Sequence, residues 1–127
     1  MQRRQWLLTS LKIAVLGFLS ERLAPAEEQL DPLKIMPETH KLIFENEFVR
    51  VIESRVPAGG MEPRHSHPHC VIVSLAPVDA ESKTFPDGKT TRTHRDFGAV
   101  AWSEATVHEV KNVGKTASHN IRVELKH

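Results

Sequence analysis

From Thr39 onward, apolar residues come in short runs broken at near-regular intervals by turn-forming glycine, proline, asparagine and aspartate. That rhythm, with no convincing 3.6-residue periodicity after position 38, predicts short strands and hence an all-β sandwich or barrel. Residues 42–44 and 48–56 read as two strands joined by Glu45-Asn46-Glu47, with Val49, Val51 and Glu53 on one side because side chains alternate along a strand. Residues 70–75 read as a buried strand. Thr84-Phe85-Pro86-Asp87-Gly88-Lys89-Thr90 reads as a hairpin, since proline presets a turn and Asp87-Gly88 supplies the left-handed position that a reversal needs. Residues 99–102, 107–111 and 119–125 supply further strands, the last reached through Asn112-Val113-Gly114-Lys115. In that last strand Ile121, Val123 and Leu125 alternate with Arg122, Glu124 and Lys126, so one face is expected to be buried and the other wet.

The first 26 residues follow a different pattern. Arg3 and Arg4 precede Trp6-Leu7-Leu8, an apolar stretch runs from Ile13 to Leu19, and Ala24-Pro25-Ala26 follows. A charged start, a short apolar middle and small residues at the end fit a secretory signal, and the paired arginines resemble a twin-arginine signal. Export to the periplasm or the extracellular space is the expectation; an amphipathic helix or a peripheral anchor is the alternative for a segment that Lys12 interrupts. The apolar run is too short to cross a bilayer comfortably, so no stable membrane insertion is expected once the signal is removed. Residues 27–38, with Pro32 and Pro37, read as a linker into a domain spanning 39–127.

Composition narrows the function classes. At 127 residues the chain has room for one core, and 39% hydrophobic with 26% charged residues is ordinary for a globular domain. A net charge of +1, with no basic run beyond the first few residues, gives no support to nucleic-acid binding. Cleavage after Ala26 would remove four of the 17 basic and one of the 16 acidic residues, leaving 13 against 15 and a net charge of −2. Cys70 is the single cysteine, which excludes an internal disulfide; it reads as a small buried hydrophobe.

The chemistry concentrates in His65-Ser66-His67-Pro68-His69. In an extended strand, side chains two apart share a face, so His65 and His67 can present two imidazoles to one ion. His69 has the same parity and is a further candidate ligand unless Pro68 introduces a bulge that turns it outward. An exposed pair on an edge strand is the plainer alternative for such a spacing.

Gly59, then five residues, then His65-Ser66-His67 resembles the first motif of the cupin superfamily, and His108-Glu109-Val110-Lys111-Asn112 resembles the close of the second. The likeness runs over about residues 41 to 126 and is greatest to compact single-domain cupins with a His-Ser-His-Pro signature. It implies a small jelly-roll β-barrel preceded by the targeting segment or helix, and a mononuclear site for one divalent ion (Fe, Zn, Mn, Ni or Cu) on His65, His67 and His108. Val71 and Ile72 stand where the first motif carries a glutamate, so the fourth ligand is not the usual carboxylate and His69 is its candidate replacement. Glu104-Ala105-Thr106 stands where the second motif has Pro-x-Gly.

Three imidazoles in place of a set with a carboxylate leave the ion more positive, which favours an anionic substrate and a more acidic bound water. The expected ligand is a small, carboxylate-bearing molecule. Dioxygenase-type chemistry leads, and a non-catalytic metal or small-ligand binding module is the alternative, since no general base with matched spacing is evident. Arg64 and Glu104 flank the proposed ligands as candidate substrate-orienting groups, each with solvated charge as the plainer reading, and Trp102 lines the cavity or fills core. Glu62, His94, His119 and His127 show no spacing that ties them to the triad and read as surface groups. A barrel this small buries a limited core, which makes a homodimer through an edge strand the expected assembly.

Overall fold

Among the described residues, nine strands succeed one another after a single turn of helix: α1 (Pro32–Ile35), β1 (His40–Glu45), β2 (Val49–Val56), β3 (Met61–His67), β4 (Cys70–Ser74), β5 (Val78–Thr84), β6 (Thr90–Arg95), β7 (Val100–Ser103), β8 (Thr106–Asn112) and β9 (Ser118–Leu125). This is a computed structural model that describes residues 29–127; the targeting segment expected at residues 1–26 lies outside the described residues. The strands form two antiparallel sheets, one in the order β1-β2-β9-β4-β7 and the other β3-β8-β5-β6. Successive strands cross repeatedly between sheets, which gives the jelly-roll barrel expected from the sequence. Among the described residues no helix is long and apolar enough to cross a membrane.

Turn chemistry sets the path. Gly60 N–H donates to the Pro57 carbonyl at 2.8 Å, and Gly59 holds φ +76° in the reversal that carries β2 into β3. A Cβ on Gly60 would stand 2.8 Å from the Pro57 oxygen, so the second glycine is required by space. Between β5 and β6, Gly88 at φ +70° supplies the left-handed residue read in the Pro-Asp-Gly signal. Part of the expected linker is folded: Asp31 caps α1 by accepting from Leu33 N–H at 3.0 Å, Pro32 and Met36 are buried, and the Leu30 carbonyl accepts from Ser66 N–H at 2.8 Å on the free edge of β3.

The β3–β8 ladder positions the chemistry. Glu62 pairs with Val110 and His65 with His108, so three steps on β3 oppose two on β8, and one extra residue is accommodated at Pro63-Arg64. This bulge places proline where a strand tolerates it, and it brings Glu62 and His65, of opposite parity, onto the same inward face.

The barrel interior is only half apolar. Ile52, Val56, Cys70, Ile72 and Val78 are buried, and so are His40, His65, His67, Ser74, Asn112, Ser118 and Glu124. The alternation read in β9 is present but the wet face is the inner one. Glu124 is 2% exposed and Arg122 pairs with Ile52 and Ile72 on the inward side, whereas Ile121, Val123 and Leu125 lie half-buried on the outside of their sheet. Alternation separates two faces; it does not say which one a polar cavity will claim.

Asn112 closes the end of the barrel. Its Nδ2 donates to the carbonyls of Val56 (3.0 Å), Pro57 (3.2 Å) and Thr116 (3.0 Å), and its Oδ1 accepts from Gly114 N–H at 3.0 Å. Asn112→Asp would set a carboxylate oxygen against those carbonyls and is expected to cost about 3 kcal/mol in urea unfolding, from buried acceptors left without a donor. A loss below about 1 kcal/mol would show that the loops hold without this side chain.

Candidate metal centre

His65 rises from β3 just past the bulge and is fully buried. Its Nδ1–H donates to the Pro63 carbonyl at 2.7 Å, which leaves Nε2 with its lone pair aimed inward. Directly across the ladder, His108 brings its Nε2 to 3.0 Å from the His65 Nε2. His67, two residues on, packs edge-on to His65 with ring centroids 4.8 Å apart and lies 5.5 Å from His108.

The ligand atoms of all three lie within 4.8 Å of one another. Two nitrogens bonded to one ion at about 2.0–2.2 Å stand roughly 3–3.5 Å apart, so the His65–His108 pair already has the required separation. Burial is the first cause that holds all three imidazoles below their ordinary pKa, His108 to about 3, with His65 and Arg122 adding to the effect on His108. The rings are therefore neutral, which is the ligand form. The group can hold a metal ion, and among the described residues no carboxylate joins it.

Carboxylates do surround it. Glu124 Oε2 accepts from His67 Nδ1–H at 2.8 Å, so His67 also presents Nε2 inward. The other oxygen of Glu124 accepts from Arg50 Nε at 2.9 Å, and the remaining face of Arg50 grips Asp31 at 2.8 and 3.0 Å. Burial pushes the Glu124 carboxyl up, with Arg50 pulling against it. A carboxylate behind a ligating imidazole fixes its tautomer and raises its basicity. On the other side of His65, His40 Nε2 contacts Glu62 Oε1 at 3.0 Å, and His40 Nδ1 meets the Thr39 hydroxyl at 2.9 Å. Burial is the largest influence on Glu62 and opposes its ionisation, but the His40 hydrogen bond and the neighbouring imidazoles of His40, His65 and His108 together outweigh it and hold the carboxyl below its ordinary value.

Of these groups His40, Glu62 and His108 line a cavity of about 520 Å³ between the sheets, together with Arg95, Arg122, Asn120 and Trp102 among others. That volume falls within the usual range for small-molecule sites, about 300–1,000 Å³.

The structure brings His65, His67 and His108 together as expected, and leaves others apart. His69 is not in the cluster: β3 ends at His67, Pro68 breaks the alternation, and His69 stacks on Trp102 at 5.6 Å between centroids while its Nε2 reaches the His127 carbonyl. Arg64 points away, its guanidinium 3.6 Å from the centre of the Phe85 ring, because the bulge turns it outward. Trp102 and Glu104 reach the cavity mouth, joined by a 2.9 Å bond from the indole N–H. Cys70 is buried, and its Sγ lies 3.0 Å from Arg122 Nη1.

Glu62, expected at the surface, belongs to the cavity wall; Pro63, two residues before His65, was the available signal, as a bulge marker. His40 and Glu124 were missed, since neither has a spacing relation to the triad. His94 is exposed between Asp79 and Asp96, and His119 pairs with Glu53.

Solved structures with the same architecture include a cupin domain from Bordetella pertussis, at 27% identity and TM-score 0.63, covering 69% of this chain and 92% of that one. An RmlC-like cupin with a double-stranded β-helix fold from Methanocaldococcus jannaschii is similar at 13% identity and TM-score 0.55, covering 69% and 79%. A Klebsiella pneumoniae protein with a double-stranded β-helix domain is similar at 20% identity and TM-score 0.53, covering 68% and 70%. No protein-family model and no curated protein matches the chain.

Glu124→Ala would leave Arg50 and His67 facing a gap. With Arg50 partly solvated, a loss of about 2–3 kcal/mol is expected in urea unfolding of the metal-free protein, and less for Glu124→Gln, which keeps the volume and one acceptor. Equal stability of Glu124→Ala and the parent would remove Glu124 from the structural account of the site.

Proposed function

We propose, on the premise that this chain has the cupin fold, that it is a mononuclear metal enzyme acting on a small, carboxylate-bearing molecule by dioxygenase-type chemistry. The observation that carries this reading is the convergence of His65, His67 and His108 in one cluster, with His108 lining the cavity between the sheets. The ion is one of Fe, Zn, Mn, Ni or Cu, held by those three histidines. When bound, a divalent ion on neutral imidazoles retains its full charge and open positions, supplying Lewis acidity and, for iron, one-electron chemistry toward oxygen.

The chain supplies the rest. Pro63 and Glu124 fix the tautomers of His65 and His67. Glu62, engaged by His40, places a carboxylate at the cavity wall that orients what the cavity admits. A dioxygenase step of this kind would place both oxygen atoms of molecular oxygen in the substrate, the substrate supplying the electrons.

Protein purified without a histidine tag is expected to carry about one metal ion per chain; His67→Ala should abolish it, and Glu124→Gln should weaken metal affinity by about 10–100-fold, measured by chelator competition. Metal content unaffected by His67→Ala would eliminate the site. Iron-loaded protein should then consume oxygen with members of a panel of small carboxylic acids. No uptake across the panel would favour the second reading, a non-catalytic metal or small-ligand binding module, which the engagement of Glu62 by His40 already supports.

Export and a homodimer belong to the same proposal. Leu42, Ile43 and Phe44 are each about half exposed on edge strand β1, an apolar edge of the kind that proteins cover. Light scattering should give twice the chain mass at micromolar concentration, and fractionation of cells expressing the full chain should place it outside the cytoplasm. A monomer, or a cytoplasmic pool alone, would overturn the respective part.

A further inference from the structure

The cavity contains two arginines, Arg95 and Arg122, that form no direct ion pair with a carboxylate among the described residues. Arg122 projects inward from β9 and uses Nη1 on Cys70 Sγ. Arg95, at the end of β6, donates from Nε to the Ser74 hydroxyl at 3.1 Å, and that hydroxyl donates to Asn120 Oδ1 at 3.2 Å. A guanidinium has five N–H donors, so most of each fork is uncommitted among the described residues. No buried side-chain nitrogen or oxygen among them is without a partner, so the remaining donors reach open space, and both residues line the cavity.

The neighbouring carboxylates are all engaged elsewhere: Glu62 with His40, Glu124 with Arg50 and His67, Asp79 with His94, and Glu104 with Trp102. Arg50 shows what a matched arginine looks like in this barrel, gripped by two acids. Burial and the neighbouring Arg122 charge work against ionisation of Arg95, with Glu62 pulling the other way, so two cations share one desolvated volume beside a single carboxylate.

We propose that Arg95 and Arg122 form a carboxylate clamp, and that the molecule admitted to the cavity is a small dicarboxylic acid with one carboxylate on these arginines and its other end toward the histidine cluster. This rests on the reading of the cavity as a substrate site and names its substrate class. Guanidinium forks match the planar carboxylate better than any other side chain.

Calorimetric titration of the full chain tests this, with Mn²⁺-loaded and metal-free protein, using malonate, succinate and glutarate against succinamate, the monoamide of succinate. At least one dicarboxylate should bind about tenfold or more tighter than succinamate, and Arg95→Gln and Arg122→Gln should each cost about tenfold with manganese content unchanged. If no chain length outperforms the monoamide, or if both variants bind like the parent, the clamp is overturned. Should Arg122→Gln fail to fold, the comparison of acid with monoamide on the parent protein decides. Loss of manganese binding with arginine dependence intact would overturn the metal reading and leave the clamp; manganese retained without arginine dependence would overturn the clamp alone.

Discussion

A single inserted residue in one ladder governs this barrel's interior. Without the bulge at Pro63-Arg64, Glu62 and His65 would occupy opposite faces of β3, and only one of them would meet the cavity. With it, the strand delivers a carboxylate, then two imidazoles, to the inside in six residues, and sends Arg64 out to the Phe85 ring. The same distortion frees the Pro63 carbonyl to hold His65 Nδ1, so the device that selects the face also selects the tautomer. A regular strand would have achieved neither.

An interior of this kind is expensive to fold. Charged and polar groups displace aliphatic ones from the centre, and each must be met by a partner. The protein meets the requirement locally: His67 by Glu124, Glu124 by Arg50, Arg50 by Asp31, His40 by Thr39 and Glu62, and Asn112 by three carbonyls and an amide. Apolar area is recovered instead on the outside of the larger sheet, where Val51, Val71, Val73, Ile121 and Val123 are half-buried among their neighbours.

How far the sequence reaches follows from these two facts. Strand kind was readable because local periodicity and turn residues are local properties; the Asp87-Gly88 turn stands where it was placed. His65 and His67 were readable from parity, and His108 only through the family likeness, because its pairing with His65 spans a register that spacing does not encode. Glu62 eluded parity because a bulge reverses it. Glu124 and Arg122 were assigned to the wet side on the assumption that the inside of a barrel is greasy, and that assumption fails wherever the inside is a binding cavity. His69 obeys parity on paper, but Pro68 ends the strand before parity can act on it.

The relay from Asp31 through Arg50 and Glu124 to His67 ties a residue upstream of the barrel to a buried imidazole of the cluster. Asp31 performs two tasks at once, since the same carboxylate that seats the first turn of α1 also anchors the guanidinium. Peeling that short turn from the barrel would therefore slacken the orientation of a deep imidazole without touching it. A version of this protein trimmed to its nine strands would retain the outline of its pocket and lose the stiffness of one wall.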